Sequence, residues 1–201
     1  MEVTLSSPKS RKREQILAAA RGLFWKHGFR RVSIEEVCQQ AGASKMTFYR
    51  FWPNKIELAK AVFDAEVSGG VARFRHILNE ETDPAEKVRK ILLLKFESVH
   101  NISREFLHDF YANESLGLKA YVEEKTREAW QDMLVDFHKA QEAGIFRKDF
   151  NPEFLLLVSQ TLGKALADDA FARLYPSPED LIWELTNFIA YGITDCRIRV
   201  G

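Results

Sequence analysis

The sequence predicts an all-α fold: a three-helix head followed by a larger helical bundle, about nine helices in all. Three observations carry this. Apolar residues recur three and four apart through most of the chain, as in Ile16, Leu17, Ala20, Leu23 and Phe24. No segment alternates apolar and polar residues over the length of a strand. Helix-starting signals recur at Ser33, Ser44, Asn54, Asp83-Pro84, Asn151-Pro152 and Ser177-Pro178, with glycine stops at Gly28 and Gly144.

The first helix is expected from Ser10 to His27, behind a basic cluster of Lys9, Arg11, Lys12 and Arg13. Trp25 falls out of phase with its apolar stripe. Phe29 is expected to plug the small core of the head. Ser33 and Glu36 have the spacing of a capping box, in which each side chain bonds the other's backbone N–H. Ile34, Val37, Cys38 and Ala41 then face inward, with Cys38 serving as a small hydrophobe. Gly42 allows a sharp turn, Ser44 caps a third helix, and Phe48 points from it into the core. Asn54 and Glu57 offer a second capping box at the head of a long helix, Lys55 to Leu78. Gly69-Gly70 interrupts that helix at a cost of about 1 kcal/mol each. Close packing, a kink or a joint between two parts would each explain the pair. Further helices are expected over Asp83–His100, Ser103–Tyr111, Gly117–Ala143, from Asn151 to before Tyr175, and Ser177–Arg197. The head is assigned to residues 10–60, the body to 61–201.

Composition narrows the function. With 46% hydrophobic and 12% aromatic residues, the chain can bury a core. No apolar run is long enough to span a bilayer, and the basic N-terminus has no apolar segment behind it, so no membrane partner or secretory signal is expected. Two cysteines far apart argue against a disulfide scaffold and for a reducing cytoplasm. The net charge of zero hides a division. Residues 1–60 hold 12 Lys and Arg against 5 Asp and Glu, a net +7; residues 61–201 hold 17 against 24, a net −7. A polyanion is attracted to the first segment and repelled by the second.

Residues 33–52, two short helices about a tight turn, have the form of a helix-turn-helix. Such a unit lays its second helix in the major groove of DNA. That helix carries Lys45, Met46, Thr47, Tyr49 and Arg50, with Lys55 just beyond. Lys and Arg donate to guanine, Thr47 and Met46 suit a thymine methyl, and Tyr49 suits a phosphate. Ser33 and Ser44 sit at helix N-termini, where free N–H groups favour a phosphate. Lys55 holds a similar position, and such contacts set register without reading sequence.

The run Gly28-Phe29, Ser33-Ile34-Glu35-Glu36-Val37 and Ala41 through Lys55 closely resembles the DNA-binding domain of TetR-family transcriptional regulators. The resemblance covers about residues 10–60; the later helices agree with the family in number and order only. Met46 stands where the family usually has glycine or a small residue, and Cys38 takes a common alanine position. The resemblance implies a homodimer with one recognition helix per subunit, and an effector in the body that alters head spacing and releases a palindromic operator. It places phosphate and base contacts at Ser33, Ser44, Lys45, Thr47, Tyr49 and Lys55.

The body supplies candidates for both remaining roles. Ser159, Gly163, Ala167 and Ala170 form a small-residue seam. Leu181, Leu185, Phe188 and Gly192 belong to an apolar last helix wider than one buried stripe needs. Both point to a twofold dimer. Phe96, His100, Phe106, Phe110, Tyr111, Trp130 and Phe137 are candidates for lining a pocket for a small apolar or aromatic effector. The histidines lack metal-ligand spacing, no cofactor is called for, and no nucleophile–base pair suggests an enzyme. The principal expectation is a repressor released by an effector. The alternative is a DNA-bound structural or division-control protein that recruits a protein partner.

Overall fold

The computed structural model describes residues 8–165, 168, 170 and 173–194. Nine α-helices and no strand occur among them. The head comprises α1 (Pro8–His27), α2 (Ile34–Gln40) and α3 (Lys45–Tyr49); α4 (Lys55–Leu78) runs from the head into the body. The body adds α5 (Pro84–Val99), α6 (Arg104–Leu107), α7 (Leu118–Glu142), α8 (Pro152–Ala165) and α9 (Pro178–Ile193).

Local capping accounts for most helix starts. The side chains of Ser33, Ser44, Asn54, Asp83 and Ser177 each accept a backbone N–H three residues on. The Ser33–Glu36 box is complete. The second expected box is half made: Asn54 accepts the Glu57 N–H, while the Glu57 carboxylate takes the ammonium of Lys60 at 2.9 Å. The helix expected over 103–111 divides. After α6 the chain widens into a π turn over His108–Ala112 and then a single 3-10 turn.

One hydrophobic cluster joins head to body. Phe24, Phe29, Val37, Phe48, Trp52 and Leu58 pack continuously with Val99, Phe106, Phe110, Leu118 and Val122. Trp25, out of phase with its own helix, is the joint. Its indole N–H donates to the Ser98 carbonyl at 3.1 Å, and its carbonyl accepts the Ser103 N–H at 2.8 Å. Its ring lies 4.2 Å from that of Phe106, with the Arg21 guanidinium 4.8 Å away over its face. Gly28 permits the approach. It has φ +78°, and a Cβ there would stand 2.8 Å from the Cβ of Glu105.

A second cluster lies at the far end of the body, built on Phe74, Phe137, Ala140, Ile145, Phe146 and Leu155. Helices α4 and α7 run parallel, held by Tyr121 to Asp64 at 2.6 Å and by Arg75 to Asp132 and Asp136 at 2.8 and 2.7 Å. Helix α5 runs antiparallel to α4, with Arg73 near Glu97 and Lys90 paired to Glu80. The α4 helix continues through Gly69-Gly70, and a Cβ added at either would meet nothing within 4 Å. Close helix packing therefore does not explain the pair.

Candidate nucleic-acid interface

The recognition helix is short and firmly seated. Phe48 is fully buried, with its ring 5.9 Å from that of Trp52 and 5.2 Å, edge-on, from that of Tyr49. This anchoring turns the opposite side of α3 outward. Met46 is 69% and Tyr49 54% exposed, beside exposed Lys45 and Arg50. Five of the eight candidates, Ser44, Lys45, Met46, Tyr49 and Arg50, thus share one open surface. Thr47 is half-buried, its hydroxyl 3.0 Å from that of Ser44, whose oxygen also accepts the Thr47 N–H. Ser33 is half-buried and engaged with Glu36 at the start of α2.

Two side chains outside the eight candidates shape this surface. Glu35 of α2 pairs with Lys45, raising the Lys45 pKa and lowering its own. The carboxylate therefore offsets a cation on the exposed face of α3. Lys12 of α1 donates to the Gly42 carbonyl at 3.0 Å, fastening the turn between α2 and α3. Neither partner is close in sequence, so no local pattern reveals it. Arg13 lies over the Trp52 ring at 5.5 Å.

Lys55 has a different occupation from the one expected. Its ammonium donates to the carbonyls of Phe29 and Val32, both at 2.8 Å, and to that of Arg30 at 3.3 Å. It also sits 4.3 Å from the centre of the Phe29 ring. All three of its donors serve the loop between α1 and α2, and burial lowers its pKa. A lysine at the start of a long helix suggests a phosphate contact; the loop carbonyls, some 25 residues earlier, capture it first.

The seven aromatic and histidine candidates for an effector do not converge. Phe106 and Phe110 are buried in the cluster that joins head and body. Trp130 and Phe137 stack in the distal cluster, 5.5 Å apart. Phe96 packs edge-on against Trp183, and His100 is exposed. Tyr111 lies against the first cluster, and burial pushes its pKa up to about 12. Helical periodicity marks all of these alike, because a core aromatic and a ligand-facing one repeat at the same spacing. A cleft of about 380 Å³ lies elsewhere, at the head–body joint, lined by His27, Arg30, Arg31, Arg104, Glu105, His108 and Asp109.

The dimer candidates also separate. Leu181 is buried within its own chain and Leu185 is half-buried, whereas Phe188 and Gly192 are exposed. An i, i+3 apolar pair of Phe188 and Tyr191 faces outward on α9, and Phe154 and Leu157 do so on α8. Ala170 is exposed. The side chains of Ser159 and Gly163, and all of Ala167, lie outside the described residues, as do Cys196 and Arg197.

Comparison with known proteins agrees with this geometry. Residues 16–62 match the model of the bacterial regulatory proteins of the tetR family. The chain is 28% identical over 99 residues to the HTH-type transcriptional activator FasR of Mycolicibacterium smegmatis, covering 49% of this chain and 45% of that protein. It is 34% identical over 89 residues to the nucleoid occlusion factor SlmA of Vibrio vulnificus, covering 44% and 45%. These matches thus span about half the length of the curated relatives. The fatty acid degradation regulator FadR of Bacillus halodurans shares the fold, with a TM-score of 0.65 over 96% of this chain and 99% of that one, at 18% identity. The head, residues 16–62, thus matches the DNA-binding domain of the tetR family of bacterial regulatory proteins, and the described helices share the all-helical fold of solved regulators such as FadR.

Proposed function

We propose that the protein is a sequence-specific DNA-binding regulator of transcription, acting as a homodimer on a palindromic operator and released from it by a small-molecule effector. The observation that carries this reading is the outward face of α3. Lys45, Met46, Tyr49 and Arg50 project together from a helix locked into the core by Phe48. Lys45 and Arg50 supply donors for base edges or phosphates, and Met46 supplies an apolar contact. The +7 charge of residues 1–60 directs DNA to this end of the molecule.

A dimer would place two such faces about one DNA turn apart, roughly 34 Å. The outward Phe188 and Tyr191 on α9, with Phe154 and Leu157 on α8, supply an apolar surface for a second copy. Release by an effector requires that it bind more tightly to the conformer whose heads do not fit the operator. Trp25 and Gly28 couple head to body closely enough to transmit such a preference.

Sedimentation of the full chain, alone and with duplex DNA, tests the assembly. A dimer that becomes monomeric in Phe188→Glu, with loss of DNA binding, supports the reading. A wild-type monomer that binds DNA with full affinity contradicts it.

A further inference from the structure

We infer that the cleft between head and body is a binding site for a small polyanion, a phosphorylated metabolite with two or more negative charges, clasped between Arg30 and Arg31 of the head and Arg104 of the body.

The cleft has a volume of about 380 Å³, within the range of roughly 300–1,000 Å³ usual for small-molecule sites. One wall is the end of α1 and the loop after it, with His27, Arg30 and Arg31; the other is α6 and the π turn, with Arg104, Glu105, His108 and Asp109. The two walls are fastened together. The Arg30 N–H donates to one carboxylate oxygen of Asp109 at 2.9 Å, and Gly28 packs so closely on Glu105 that a Cβ there would clash. Asp109 is buried, and its other oxygen lies 3.8 Å from Nδ1 of His108. Arg104 is steadied by one bond to the Tyr175 carbonyl at 3.2 Å.

Unpaired charge sets this cleft apart. Elsewhere in the body Arg73, Arg75, Arg89, Arg127 and Arg147 each pair with a carboxylate. Among the described residues, Arg30, Arg31 and Arg104 pair with none, not even with Glu105 of the same cleft. Three guanidiniums therefore share one cleft with one exposed carboxylate and one buried one. Cations on facing walls repel, and an anion between them replaces that repulsion with attraction. The planar fork of arginine takes phosphate oxygens two at a time. A single carboxylate would leave guanidiniums uncompensated, so the charge set favours a ligand with several anionic oxygens. His27 and His108 add an imidazole to each wall. Duplex DNA is repelled by the net −7 of residues 61–201, whereas a small anion responds chiefly to charges within about 8 Å.

Calorimetric titration of the full-length protein with sodium tripolyphosphate, at constant ionic strength, tests the site. The wild type should bind saturably, with one tripolyphosphate per chain, and sodium acetate should give no saturable heat. Arg31→Gln and Arg104→Gln should each weaken binding by about tenfold or more, and Arg104→Lys by less. All three substitutions are at exposed positions, which spares the core. The double variant Lys45→Gln, Arg50→Gln should bind tripolyphosphate as the wild type does, because its changes lie on α3. A rise in the melting temperature of the wild type with added tripolyphosphate gives a readout that needs no variant. The absence of saturable binding overturns the inference. So does binding that survives Arg104→Gln and disappears in the α3 double variant, which would assign the anion to the DNA-binding face.

Discussion

The backbone N–H of Arg30, in the loop between α1 and α2, donates to the buried carboxylate of Asp109 at 2.9 Å. The bond joins the DNA-binding head to the π turn of the body, 79 residues away in sequence. Asp109→Ala would leave the Arg30 N–H without its acceptor and should destabilise the fold by about 1–3 kcal/mol. Asp109→Asn keeps an acceptor oxygen and should cost less. Urea denaturation of the three proteins checks the order. Gly28→Ala should also be destabilising, by about 1–3 kcal/mol, because it combines a positive φ with a clash against Glu105.

The pairing of Glu35 with Lys45 makes an unusual prediction for a loss of charge. Glu35→Gln should strengthen DNA binding across sequences, since it frees a cation and removes an anion near the phosphates. The slope of log affinity against log salt should steepen by about one unit. Titrations at several salt concentrations measure it. An unchanged slope would mean that Lys45 stays away from the DNA backbone.

Lys55 distinguishes two roles cleanly. A phosphate contact alone would leave the stability of the free protein intact when removed. The three carbonyls it serves predict otherwise: Lys55→Met should lower the melting temperature and weaken binding to all DNA sequences together. By contrast, Thr47→Ala should alter sequence preference, and Tyr49→Phe should weaken binding evenly.

The capping box at Ser33 gives the head an acid-sensitive element. The Ser33 backbone and hydroxyl hold the Glu36 carboxyl below its usual 4.5. A depressed carboxylate pKa contributes stability above the unfolded value, and that stability is lost as pH falls through the folded one. Head stability should therefore decline below pH 4.5, and less steeply in Glu36→Gln than in the wild type. Circular dichroism melts between neutral and acid pH measure the difference.

What could be read from the sequence divides along physical lines. Caps at Ser33, Ser44, Asn54, Asp83 and Ser177 were legible because each bond closes within one turn. So was the outward face of α3, which follows once Phe48 is assigned to the core. The role of Trp25 was not, since its partners Ser98 and Phe106 come from the body. The bonds of Lys55 were not legible either, because only the folded loop brings three carbonyls within its reach. The effector candidates are dispersed for a related reason. Aromatics at helical spacing announce burial, and in this chain most fill one of two cores.

Selection of bound sequences from random duplexes, using the full-length protein, tests the central claim most directly. The account predicts enrichment of a palindrome whose half-sites lie about one helical turn apart, roughly 34 Å between centres, with Thr47→Ala shifting the enriched bases. Recovery of sequences with no shared motif would contradict it.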